Sequence, residues 1–159
     1  MNRERRKVLK AGGGATVMAL ALSAGLLRVT DVFAQQGWNK AAFDAKSFSD
    51  AAKAMGGASA TENKGVQFSN PTPDIAENGA VVPITVTSSL PKTESIAILI
   101  EKNPSALAAN FSIPAGTEAF VSTRVKMGQT SDVYALVKAD GKYYYAKKEI
   151  KVTLGGCGG

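Results

Sequence analysis

No histidine occurs anywhere in the 159 residues. That absence removes the usual general base near neutral pH, the usual partner that activates a serine or cysteine, and the commonest metal ligand. Cysteine is almost as scarce. Cys157 is the single one, so the chain has no internal disulfide, no multi-thiolate zinc site and no two-cysteine haem attachment motif. No phosphate loop or dinucleotide glycine pattern is present, since Gly12-Gly13-Gly14 belongs to the leader described below. Acidic residues are scattered, and Asp74 with Glu77, or Glu94 with Glu101, are better read as solvated surface than as paired carboxylates. No metal and no cofactor is expected, and the chain is not expected to be an enzyme.

A long apolar run is also missing. The uncharged stretch from Ala11 to Leu27 is mild and is broken by Gly12, Gly13, Gly14 and Gly25, which falls short of the ~20 apolar residues a spanning helix prefers. It follows a basic segment, Met1 to Lys10, and precedes Val32-Phe33-Ala34, with small or β-branched residues where a signal peptidase reads. Residues 1–34 are therefore expected to be a signal peptide cleaved after Ala34. The basic segment contains Arg5-Arg6-Lys7-Val8-Leu9-Lys10, which resembles the twin-arginine export signal. That resemblance implies export of an already folded protein to a bacterial periplasm, with no membrane attachment after cleavage.

Six of the 19 basic and two of the 13 acidic residues precede Gln35, so the mature balance is 13 − 11 = +2. The sequence pI of about 9.5 thus reflects the leader. No basic face interleaved with aromatics remains, and nucleic-acid binding is not expected.

What is there after residue 34 reads as one domain, 35–153, followed by a tail, 154–159. Trp38 to Met55 is rich in Ala and Lys, with Phe43, Phe48, Ala51, Ala52 and Met55 near helical spacing. Ser47 or Ser49 can serve as an N-cap, and Gly56-Gly57 stops the helix. Beyond it, short strands separated by turn residues are expected near 65–69, 81–87, 95–101, 107–113, 118–127, 133–138 and 143–153. Seven strands in so short a span point to a mostly β, immunoglobulin-like antiparallel sandwich with a short N-terminal helical segment. In the strand at 118–127, Val121, Thr123, Val125 and Met127 alternate with Ser122, Arg124 and Lys126, which predicts a half-buried strand. Asp140-Gly141 predicts a tight hairpin, and Pro83 predicts an edge or a bulge. In Tyr143-Tyr144-Tyr145 neighbouring rings must point to opposite faces, so at least one packs inward.

The tail is the chemically distinctive part. Gly155-Gly156-Cys157-Gly158-Gly159 places a thiol between two glycine pairs at the extreme C-terminus. Glycine leaves the sulfur uncrowded and enters both halves of conformational space, so the segment is expected to be a flexible arm. Five residues reach up to ~17 Å at ~3.3 to 3.6 Å each. The string looks like a lipoprotein cleavage box, but that signal acts ahead of a mature domain. Its Gly-Gly ending is similar to ubiquitin-like sulfur carriers, which work in the cytoplasm without an adjacent cysteine. A thiol enzyme would need a fixed activating group that glycines do not supply. An exported structural protein joined by an intermolecular disulfide through Cys157 is the alternative to a carrier.

The twin-arginine signal, the segment from Pro73 to Pro83, Glu101-Lys102-Asn103-Pro104 and the C-terminal pentapeptide together resemble the SoxY family. These are sulfur-carrier subunits of the bacterial thiosulfate-oxidising Sox system. The resemblance implies an immunoglobulin-like domain paired with a SoxZ-like subunit as a heterodimer or a higher oligomer. It implies covalent attachment at Cys157 as S-thiosulfonate or persulfide adducts. It further implies successive visits to a haem-containing SoxAX-type enzyme, a SoxB-type hydrolase and a SoxCD-type oxidising enzyme. Only Cys157 carries over as a functional residue, with Gly155, Gly156, Gly158 and Gly159 giving the arm its freedom.

Overall fold

The computed structural model describes residues 39–154. Arg5 and Arg6 of the leader, and Cys157 with Gly155, Gly156, Gly158 and Gly159, lie outside the described residues. Among those described, two short helices come first, α1 (Lys40–Asp44) and α2 (Phe48–Ala54). Nine strands follow: β1 (Thr61–Glu62), β2 (Val66–Ser69), β3 (Ile75–Ala76), β4 (Val82–Ser88), β5 (Thr93–Ile100), β6 (Leu107–Ser112), β7 (Phe120–Val125), β8 (Ser131–Ala139) and β9 (Lys142–Val152).

The expected single helical stretch is two helices because its middle is claimed twice. Ala45 is extended, and its carbonyl accepts from Ala106 N at 2.9 Å rather than continuing the helix. Ser47, not Ser49, then caps α2, its Oγ accepting from Asp50 N at 3.1 Å. At the other end Gly56 takes φ +90°, with Gly56 N donating to Lys53 O and Gly57 N to Ala52 O, which terminates α2 as a left-handed cap. A Cβ on Gly57 would sit 2.9 Å from the Tyr143 ring, so this turn also seats the helix against β9.

All seven expected strands are present, in an immunoglobulin-like sandwich. The larger sheet has the order β1-β9-β8-β5-β6, with β3 also beside β9, and the smaller has β2-β4-β7. The pairings are antiparallel except those of β1 and β3, which run parallel to β9. These two pairs are too short to show any alternation, which is why pattern alone does not find them.

Strand alternation explains how one sheet serves two cores. Ile96, Ile98 and Ile100 of β5 and Val133, Ala135 and Val137 of β8 face β2-β4-β7, while Ala97, Leu99 and Leu136 face the helices with Ala42, Ala51 and Ala52. The tyrosines divide the same way: Tyr144 packs on the inter-sheet core, Tyr143 and Tyr145 on the helix side. There Phe48 stacks on Tyr134 with ring centroids 4.1 Å apart, and burial raises the Tyr134 phenol pKa. Ile98→Ala removes a fully buried side chain from the inter-sheet core and should cost about 2–5 kcal/mol in denaturant unfolding. A loss under ~1 kcal/mol would show that β5 is not the packing centre.

Two local expectations resolve clearly. Asp140 and Gly141 adopt φ 49° and 73° in a two-residue loop between Ala139 and Lys142, the tight hairpin expected. Val121, Val125 and Met127 are buried and Ser122, Arg124 and Lys126 are not, as the alternation requires. Pro83 differs from expectation, since β4 is the middle strand of its sheet. It is tolerated because the β2 ladder covers only Thr85 to Ser88, leaving Pro83 paired on one side alone, with Arg124.

The root of the C-terminal arm

Cys157 lies three positions beyond Leu154, the last described residue, and the described structure defines where its segment leaves the body. Strand β9 carries the chain there, rising roughly 33 Å at ~3.3 Å per residue from the hairpin to its end. Ile150 is fully buried in the core, so the strand is anchored by packing until just before it ends.

The last residues are then held by backbone bonds from the segment 74–79. Lys151 N donates to Asp74 O at 2.9 Å, Thr153 N to Ala76 O at 3.1 Å, and Gly79 N to Leu154 O at 2.7 Å. Thr153 Oγ1 donates to Glu77 O at 3.0 Å. From the other side Thr130 Oγ1 accepts from Val152 N at 2.9 Å. Lys148 reaches Asp74 at 2.9 Å as an ion pair across the same junction. Every residue from Lys151 to Leu154 is thus bonded through its backbone to a neighbouring segment, and the body is clasped right up to the residue before the glycines.

A second segment buttresses the first. Gly79 also accepts from Met127 N at 2.7 Å, and Met127 is fully buried. Asn103 brackets Met127, donating from Nδ2 to Lys126 O at 2.7 Å and accepting at Oδ1 from Gly128 N at 3.2 Å. A continuous path therefore runs from Asn103 through the 126–128 turn and Gly79 to Leu154. The stretches 73–83 and 101–104, far apart in sequence, are thus bridged by 126–128. Glu101 has a separate task, accepting from Phe48 N at 2.8 Å at the start of α2.

Thr130 is a positioning residue that sequence reasoning missed, a threonine in a turn with no other signal. Gly79 and Asn103 lie in the two segments that carried the family resemblance, but the sequence assigned neither of them a role. Three of the four acidic candidates have separate partners: Asp74 pairs with Lys148, Glu94 with Lys138 at 2.6 Å, and Glu101 accepts from the α2 backbone. Among the described residues, no three His, Cys, Asp or Glu side chains group to hold a metal. Shifted carboxyls sit at the opposite end of β9. Hydrogen bonding to Lys138 holds Glu94 low, and hydrogen bonding to Lys92 holds Asp140 low.

The surface of the root is apolar in places. Ile75, Val81 and Leu154 are 57%, 54% and 67% exposed. Lys126 and Lys151 are also exposed.

The model of the family described as sulfur oxidation protein SoxY matches residues 51–157. Among solved structures, the sulfur carrier protein SoxY from Chlorobium limicola f thiosulfatophilum is 37% identical, with 66% of this chain and 96% of that one covered and a TM-score of 0.57. A superoxide reductase (neelaredoxin) from Ignicoccus hospitalis is 18% identical over 55% of this chain and 79% of its own, with a TM-score of 0.48. No curated protein matches. The family match starts within α2, spans both sheets and the clasp at 74–79, and ends on Cys157 itself, so this chain belongs to the SoxY family.

Proposed function

We propose that this protein is a covalent sulfur carrier of the periplasm, holding thiosulfate-derived groups on Cys157 and delivering them to separate enzymes. The observation that carries the reading is the family match ending at Cys157, joined to a clasped root immediately ahead of the glycine-rich tail. The 37% identical SoxY, a sulfur carrier by name, supports it. The Arg5-Arg6 leader supports export by the twin-arginine route.

The chemistry is balanced outside the carrier. The thiol and thiosulfate join as the Cys157 S–S bond of an S-thiosulfonate, releasing a proton and an electron pair that a haem enzyme accepts. Water then cleaves the terminal S–S bond, giving sulfate, a proton and a persulfide on Cys157. An oxidising enzyme converts the persulfide sulfur to a sulfonate with three oxygens from water, accepting six electrons as seven protons are released, and a second hydrolysis releases sulfate and a proton and restores the thiol. The carrier supplies attachment and reach; with no histidine in the chain, the proton transfers fall to the partners. A SoxZ-like subunit is the expected stable partner, and tethering keeps intermediates at high effective concentration.

Intact mass of the native complex tests this. The expected result is a chain starting at Gln35, bound to one smaller subunit and bearing sulfur or thiosulfonate on Cys157 that mild reductant removes. A disulfide-linked dimer of this chain, with no sulfur adduct after incubation with thiosulfate and the haem enzyme, would overturn the proposal.

A further inference from the structure

We propose that Asn78-Gly79 is a self-modification site, where attack of the backbone on the asparagine side chain is held in check by the clasp bond from Gly79 N to Leu154 O. The modification is independent of the carrier role, because it needs neither the thiol nor a partner.

The residue types supply the reaction. Asn78 is the one asparagine of the chain that is followed by glycine. Asparagine is thermally labile, and a following glycine has no Cβ to crowd the approach of its own nitrogen to the preceding side chain. The Gly79 nitrogen gives its proton to solvent base and attacks Asn78 Cγ. The new N–Cγ bond closes an imide ring, the Cγ–Nδ2 bond breaks, and solvent returns a proton to the departing nitrogen, which leaves as ammonia. Water then opens the imide at either carbonyl, giving aspartate or isoaspartate. The sum is a hydrolysis, in which asparagine and water become a carboxylic acid and ammonia with no change of oxidation state.

The fold prepares this reaction and restrains it at the same place. Ala80 N donates to Asn78 Oδ1 at 2.8 Å, closing a ring that contains the Gly79 nitrogen. The side chain is thereby folded back over the peptide that would attack it, and the Ala80 N–H faces the oxygen that gains negative charge as Cγ becomes tetrahedral. Asn78 is exposed, so water and base reach it. Against this, Gly79 is buried and its N–H is committed to Leu154 O at 2.7 Å. An imide nitrogen carries no hydrogen. The clasp bond and the imide therefore exclude each other, and attack requires a local opening in which Gly79 parts from Leu154.

The product does not restore the clasp. Isoaspartate puts an extra main-chain carbon ahead of Gly79, whose oxygen is also held, by Met127 N at 2.7 Å. It adds a carboxylate beside the exposed Glu77 as well. An opening that proceeds to reaction thus fixes the root of the arm in a loosened form, and the modified fraction records how often the clasp has opened.

The test incubates the purified chain at mildly alkaline pH and follows isoaspartate by peptide mass and chromatography. In guanidinium chloride Asn78 should convert at least about tenfold faster than in the native chain, because the restraint is a feature of the fold. Thr153→Pro removes the N–H that Ala76 O accepts and the hydroxyl that bonds Glu77 O, leaving residues 78–80 untouched. Losing those two hydrogen bonds should speed native conversion at Asn78 about tenfold. Asp140-Gly141 is the control, since it too can close an imide but lies at the opposite end of β9, and its rate should not change. Should Thr153→Pro fail to fold, Thr153→Val loses the hydroxyl bond alone and should give a rise of about threefold. Equal rates in the native and unfolded chain, no response in the Thr153 variant that folds, or an equal rise at Asp140 would overturn the proposal.

Discussion

Replacing Cys157 with serine should abolish sulfate release from thiosulfate altogether, with stability unchanged within about 0.5 kcal/mol. The two halves of that result have different physical origins. Activity depends on a sulfur that can form S–S bonds. A cysteine is already a few per cent thiolate near neutral pH, whereas serine offers a hydroxyl that neither ionises nor couples oxidatively to thiosulfate. Stability depends on burial and backbone bonding, and the clasp that closes the body is made by Leu154, three residues earlier. Sulfate release by the reconstituted enzymes and urea unfolding of the variant measure the two halves separately. Sulfate formation at the wild-type rate would eliminate Cys157 as the attachment point. A loss of cooperative unfolding would show instead that the tail is part of the folded core.

Substituting valine for both Gly156 and Gly158 should slow turnover at least about tenfold, equivalent to roughly 1.4 kcal/mol of transition-state access. Neither substitution touches the sulfur, so alkylation by a small reagent should proceed near the wild-type rate. Valine is β-branched, which restricts its rotamers and widens the chain beside the thiol on both sides. A serine pair separates the two explanations. It adds a small unbranched group, so entry into a narrow opening predicts a modest loss for serine and a large one for valine. If the glycines act as a spacer alone, the two pairs behave alike. Unimpaired sulfate release with the valine pair would reject the requirement that Cys157 enter confined partner sites.

Much of the fold was legible because the signals were local. Hairpin 140–141 needed two adjacent residues that tolerate positive φ, and Asp140-Gly141 are such residues. Strand β7 revealed its buried side through Val121 and Val125, because a period of two is printed directly in the order of residues. The break between α1 and α2 was not legible, since Ala45 leaves the helix for Ala106, far along the chain. Strands β1 and β3 were missed because two residues carry no period. Pro83 was misplaced for a related reason: proline reports that one N–H is missing, but not which neighbouring strand stops short.

The sequence by itself determined which chemistry is open to this chain. One cysteine set between glycine pairs and the lack of any histidine are properties of composition and order that folding does not alter, and the sulfur-carrier reading comes from membership of the SoxY family. Only the tertiary structure decided how the root of the arm is held. Gly79, Asn103 and Thr130 each look ordinary in sequence, and their role exists only because β3 lies parallel beside β9 and the 126–128 turn closes over Gly79. Backbone hydrogen bonds between distant segments leave no residue-type signature, since any amino acid except proline offers the same N–H and every one the same carbonyl.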